Sequence, residues 1–215
     1  MEGAGLPVRW WADGGFDAPW PSAAPALPAA GADGAAAGAV RIVGVRGRGD
    51  RVAARRAIRI ALSAALAEST GLPEAAIRLE AEPGAAPFAS VSCESGGVRR
   101  IGLAISHDGE MSLGAFRLDG GPVGIDVMQV VEVPDWAAVA RDYLGPACVE
   151  ALASLPADAR AAAFARAWSQ REARLKCLGL PLGEWDAGQA VRLDACVCGA
   201  IAVPGGYVGT VALLP

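Results

Sequence analysis

Along this chain apolar positions recur with two different periods, and the change from one to the other marks where strands give way to helices. Val40–Val45 reads as a strand. Asp50 is placed to cap a helix running to about Ser69, which Gly71-Leu72-Pro73 ends. Ile77–Glu82, Val98–Ser106, Met111–Leu118 and Pro122–Val130 read as strands, and Gly120-Gly121 turns the chain between the last two. Pro134–Leu144 and Ala147–Leu155 read as helices, and a longer helix runs from about Asp158 to Leu178 and stops at Gly179. Strands at Ala190–Ala195, Gly199–Val203 and Tyr207–Leu213 close the chain, with Gly205-Gly206 forming the last hairpin turn.

Each half thus holds helix followed by strands. The order predicts an α+β protein of two related units side by side, residues 40–121 and 122–215. Before them lies an arm, residues 1–39. It opens with an aromatic patch, Trp10, Trp11, Phe16 and Trp20, which is expected to anchor it on the body. An Ala/Pro/Gly run from about Pro21 to Gly38 follows, without period or bulk, and reads as a flexible or draped segment.

Composition narrows the classes. The 215 residues suffice for a real core, although much of the 53% hydrophobic content is alanine. No stretch of eighteen apolar residues occurs, so no membrane span is expected. The first residues lack a basic segment followed by an apolar one, so no secretory signal is expected. A net charge of −4 argues against a general nucleic-acid binder. Seven arginines (41, 46, 48, 51, 55, 56 and 59) nonetheless crowd one segment. Five cysteines lack paired spacing, with Cys196 and Cys198 on what reads as a strand edge, and a single histidine makes a zinc site improbable. Reduced thiols in a cytoplasm fit this usage.

Three clusters carry candidate chemistry. In Gly124-Ile125-Asp126-Val127-Met128, strand alternation puts Asp126 and Met128 on one side and Ile125 and Val127 on the other. An acid on a buried strand needs a cation or hydrogen-bond donors, though backbone donors at a strand end would also satisfy it. In Trp168-Ser-Gln-Arg-Glu172-Ala-Arg-Leu-Lys176, Phe164, Trp168, Leu175 and Leu178 form an apolar stripe. Glu172 borders that stripe, and Lys176, four residues on, can meet it; alone the two would be an ordinary ion pair. In Ser106-His107-Asp108 the chain's one histidine sits at a strand exit before Gly109, where loops carry function and surface histidines are also common.

In order, these clusters resemble the Sfp-type 4′-phosphopantetheinyl transferases. The resemblance rests on Ile105-Ser106-His107, Pro122-Val123-Gly124-Ile125-Asp126-Val127 and Trp168-x-x-Arg171-Glu172-Ala173-x-x-Lys176. The spacing agrees, about twenty residues from His107 to Asp126 and about forty-five on to Glu172. The arginine-bearing helix and Gly84-x-x-Pro87 fall where that family has its helix and its Gly-Lys-Pro turn. The likeness covers roughly residues 40–214 and leaves out the arm.

The resemblance implies a pseudo-dimer of two α+β halves with the active site in the cleft between them. It implies that Asp126 and Glu172 bind Mg²⁺, that Lys176 touches a phosphate of coenzyme A, and that Ser106, His107 and Pro87 bind the donor. An arginine of the 51–59 helix, Arg55 or Arg51, would help at the 3′-phosphate; Arg51, Arg55 and Arg59 share a helix face. The implied reaction is attack by a serine of an apo acyl or peptidyl carrier protein on the β-phosphate, with Glu172 as base. One chain would supply the whole site, so a monomer is expected. Two positions depart from the pattern. Met128 stands where the family has a second acid, and Ala86 replaces the lysine before Pro87. A thioether is a poor ligand for a hard ion. These departures keep open the alternative of a catalytically weak protein that binds coenzyme A or a carrier.

Overall fold

The computed structural model describes residues 5–20, 40–47, 49–82, 85–92 and 97–215. The Pro21–Gly38 run, Arg48 and Gly84 lie outside the described residues. The first half holds strands β1 (Arg9–Ala12), β2 (Gly15–Phe16) and β3 (Val40–Arg46), helix α1 (Arg51–Thr70), and strands β4 (Ile77–Glu80), β5 (Phe88–Ser92), β6 (Val98–Asp108) and β7 (Met111–Arg117). The second half begins with β8 (Val123–Gln129), followed by helices α2 (Trp136–Val139), α3 (Pro146–Ala153), α4 (Ala157–Cys177) and α5 (Ala187–Leu193). Strands β9 (Val197–Ala200) and β10 (Tyr207–Leu213) end it. Seven strands pair in the order β2-β1-β3-β7-β6-β5-β4, and three pair as β8-β10-β9. The protein is a mixed α+β fold.

Strand alternation builds four layers, α1, the large sheet, the small sheet and α4. On β3, Val40 and Ile42 face the core between the sheets, joined by Leu113 and Ala115 of β7 and by Val123, Ile125 and Val127 of β8. Val43, Val45 and Phe116 point the other way, onto Ile58, Leu62 and Leu66 of α1. Burying a Leu or Ile contributes about 1.5–3 kcal/mol. This apolar face, more than intrinsic propensity, therefore holds α1 in place. Its ends are fixed locally. The Asp50 carboxylate accepts from Val52 and Ala53 N–H at 2.8 Å each, and Gly71 closes the helix at φ 70°.

On the small sheet, the even-numbered side of β8 meets α4. A Cβ on Gly124 would stand 1.8 Å from the Ala173 carbonyl oxygen, so the helix lies directly on the strand there. That contact sets Glu172 and Lys176 beside Asp126. β8 is an edge strand, and its outer edge is satisfied by side chains in place of a further strand. Val127 N–H donates to Ser106 Oγ at 3.3 Å and Gln129 N–H donates to Asp108 at 2.6 Å, while from the helix above Ser169 Oγ donates to the Asp126 carbonyl at 3.4 Å.

Several sequence expectations are corrected. Residues 187–193 form helix α5, although Ala190–Ala195 alternates like a strand. The Asp186 carboxylate accepts from Gln189 N–H at 2.8 Å and caps the helix. Cys196 consequently lies in the turn before β9, and only Cys198 is on the strand. β9 is Val197–Ala200, earlier than the expected Gly199–Val203. The expected helix at Pro134–Leu144 is present over 136–144, with its last part, Ala140–Leu144, wound wider and closed by Gly145 N–H to the Ala140 carbonyl. β6 runs through His107 to Asp108, so His107 is on a strand and not in a loop. The reason is a two-residue hairpin at Gly109-Glu110, which needs the positive φ of Gly109 and keeps the strands paired to their ends.

The aromatic patch packs on the body. Trp11, Phe16 and Trp20 lie against the α1-side core, and Trp10 lies against the core between the sheets. β1 pairs in parallel with β3, and the Arg9 guanidinium stacks between Phe16 and Trp20. Among the described residues no helix is long and apolar enough to cross a membrane.

Candidate active site

The elements converge on a cavity of about 640 Å³ lined from α1, β6, β8 and α4. Arg51, Arg55, Pro87, Ser106, His107, Asp126, Glu172 and Lys176, all eight residues singled out in the sequence, line it. Arg59, Trp168 and Met128 line it too, whereas Arg56 and Ala86 do not.

One end is built around Asp126, which is buried on β8. Its Oδ1 accepts from Ser106 Oγ at 2.8 Å and from Lys176 Nζ at 2.7 Å. Lys176 Nζ also donates to Ser106 Oγ at 3.2 Å and lies 3.8 Å from Glu172 Oε2. Three elements therefore meet at one ammonium group. A single lysine serves two carboxylates, and it does not fully offset their loss of water. Burial raises the Asp126 carboxyl above its ordinary range, with Lys176 opposing the shift. Burial also raises Glu172; Lys176 and Arg171 oppose it, and the neighbouring Asp126 charge adds to it. This end carries more negative charge than its surroundings stabilise.

The other end has the opposite imbalance. His107 is half-buried on β6, and burial is the first reason that its pKa lies below the ordinary 6.5. The charges of Arg55, Arg51 and Lys176 push it down further. Arg51 and Arg55 are exposed on the first two turns of α1. Arg59 is held away from this role in part, since its guanidinium donates to the Leu79 carbonyl.

Two supporting residues were not legible in the motifs. Ser112 Oγ lies 2.8 Å from His107 Nδ1 and is almost fully buried. It stands directly opposite His107 across the β6–β7 hairpin, so the register would have pointed to it had the hairpin been placed at Gly109-Glu110. Ser169, one position after Trp168, bonds the backbone of Asp126 and locks α4 onto β8.

Met128 lines the cavity near Asp126 and packs its side chain toward Phe164 and Trp168. Among the described residues no group of three or more His, Cys, Asp or Glu is arranged to hold a metal. The carboxylates lining the cavity are Asp126, Glu172 and Asp108, and Asp108 accepts from Gln129 N–H.

Compared with known families, residues 122–203 match the model of the 4′-phosphopantetheinyl transferase superfamily. The match takes in Asp126, Glu172 and Lys176. It stops short of Ser106, His107, Pro87 and the α1 arginines, and it speaks for phosphopantetheine transfer in general. No curated protein matches the chain.

Proposed function

We propose that this protein transfers the 4′-phosphopantetheine group of coenzyme A to a serine of an apo acyl or peptidyl carrier protein and releases 3′,5′-ADP. The observation that carries the proposal is the opposed imbalance of the cavity. Under-stabilised carboxylates at one end suit a cation, and crowded cations at the other suit a phosphate.

The donor set fits Mg²⁺. Asp126 and Glu172 are hard oxygen ligands, and this ion binds through one or two carboxylates, waters and substrate phosphates. When bound there, it would neutralise charge on the pyrophosphate. In the reaction we propose, the serine oxygen forms a bond to the β-phosphorus, and the bond from that phosphorus to the oxygen of the nucleotide breaks. Glu172 takes the serine proton, directly or through a water. Lys176 neutralises charge developing on the phosphoryl oxygens. His107 holds the nucleotide end with Pro87, Ser106 binds the donor beside Asp126, and Arg55 or Arg51 pairs with the 3′-phosphate.

In this reading the halves around the two sheets form a pseudo-dimer, and the cavity is the cleft between them. One chain supplies every group named, so the active species is a monomer, working in a cytoplasm. A second reading, a protein that binds coenzyme A or a carrier without efficient transfer, is favoured by Met128 and Ala86. Incubation with coenzyme A, Mg²⁺ and a panel of apo carrier proteins, read by intact mass, separates the two. A carrier gaining one phosphopantetheine group supports transfer. Coenzyme A binding with every carrier mass unchanged supports the second reading.

A further inference from the structure

Helix α4 carries a second pocket, of about 230 Å³. Ala167, Gln170 and Arg174 line it and lie roughly opposite Glu172 at about 100° per residue, so it opens on the side of α4 away from the cavity described above. Arg171 also lines it and is only 7% exposed. Its Nη2 donates to neutral acceptors, the Gly183 carbonyl at 2.9 Å and Gln189 Oε1 at 2.8 Å, with a longer bond to the Glu184 carbonyl. Its Nε is buried without a partner. Buried guanidinium groups are ordinarily paired with a carboxylate, since an uncompensated buried charge is strongly destabilising. No carboxylate lies within ion-pair distance of Arg171 among the described residues. Asp194, the acid lining the pocket, is paired with Arg174 at 3.3 Å. The remaining walls, Leu144, Leu193 and the indole of Trp185, are apolar.

We infer that this pocket binds a small organic carboxylate, whose carboxylate pairs with Arg171 and whose apolar body lies against Trp185 and Leu193. The volume is below the roughly 300–1,000 Å³ of sites for drug-sized ligands, which keeps the ligand small. The inference does not rest on the transferase reading.

The test uses the full chain, with benzoate as probe and benzyl alcohol as the same body without charge. The readout is the ¹H–¹⁵N NMR signal of the Trp185 indole, assigned by Trp185→Phe. Benzoate is expected to shift that signal saturably, and benzyl alcohol at the same concentration is not. Arg171→Gln should weaken benzoate about tenfold or more, the worth of one charge-assisted hydrogen bond. Ala190→Phe, which leaves Arg171 in place and fills the pocket from its wall, should abolish the shift. The inference is overturned if the Trp185 signal does not move. Unchanged affinity in Ala190→Phe or in folded Arg171→Gln, or equal shifts with the alcohol, also overturns it. A shift confined to Trp168, which lines the larger cavity, would place benzoate there instead and equally overturn it.

Discussion

The two ends of the large cavity are made from similar materials and are imbalanced in opposite senses. Both rest on β6, at neighbouring residues. Ser106 serves the acidic end, where Asp126 and Glu172 share Lys176, and His107 serves the cationic end beside Arg51 and Arg55. In a folded protein such imbalances cost stability, and they persist where a ligand removes them. In the function proposed above, the site is organised around a ligand with a cation at one end and a phosphate at the other. Each prediction below breaks or sharpens that contrast.

The largest effect should come from removing the acidic end. Asp126→Ala or Glu172→Ala is predicted to lower transfer about 10²-fold or more. Loss of an outer-shell partner alone costs 10–100-fold at metal sites. Circular dichroism should show the fold retained, and near-normal transfer by either variant would remove these residues from the assignment. Moving the acidic end without touching its charges comes next. Gly124→Ala puts a methyl against the Ala173 backbone and should cost about 1–3 kcal/mol of stability. Denaturant unfolding checks this, and an unchanged midpoint would show that α4 does not bear on β8 as described.

At the cationic end, His107→Ala should raise the apparent KM for coenzyme A about tenfold, as expected for one charge-assisted bond. The effect with 3′-dephospho-coenzyme A should be much smaller. Equal losses with both donors would separate His107 from the 3′-phosphate. A finer probe is Met128→Glu, which adds an acid beside Asp126. It should lower the Mg²⁺ concentration giving half-maximal transfer and change the saturated rate less. Coincident titrations would mean that Met128 is not near the ion.

Much of this was legible in the sequence, and the reasons differ by region. Asp126 on β8 and the Glu172–Lys176 pair on α4 were readable because an acid on an apolar strand and an i,i+4 pair are local signals. The ends of α1 were readable from Asp50 and Gly71 for the same reason. The expected strand at 190–195 fails because alternation carries no sign of the Asp186 cap four residues earlier. The sequence pattern gives no strand at β1, β2 or β5. β1 and β2 are short, and β1 pairs with β2 and with β3, which lies beyond the 21–39 segment in sequence. Burial of Arg171 was equally invisible, since it depends on α5 and the turn before it closing over the back of α4.

The smallest expected effects are on stability as pH changes, and the two ends give opposite slopes. His107 has a folded-state value below 6.5, so the unfolded chain binds more protons, and stability falls as pH drops below that value. Asp126 and Glu172 have folded-state values above 3.8 and 4.5, so the folded chain binds more protons, and their contribution is lost as pH rises above those values. Glu172→Gln should remove part of the second slope and His107→Gln part of the first, as read by thermal unfolding across pH. Slopes unchanged in both variants would locate the dependence elsewhere.

The most direct test is to titrate these groups individually by NMR in the ligand-free protein, then with Mg²⁺ and coenzyme A. The account predicts that Glu172 titrates above 4.5 and His107 below 6.5 in the free protein. On adding both ligands, Glu172 should move down and His107 up. Ordinary values for both groups that do not respond to either ligand would contradict it.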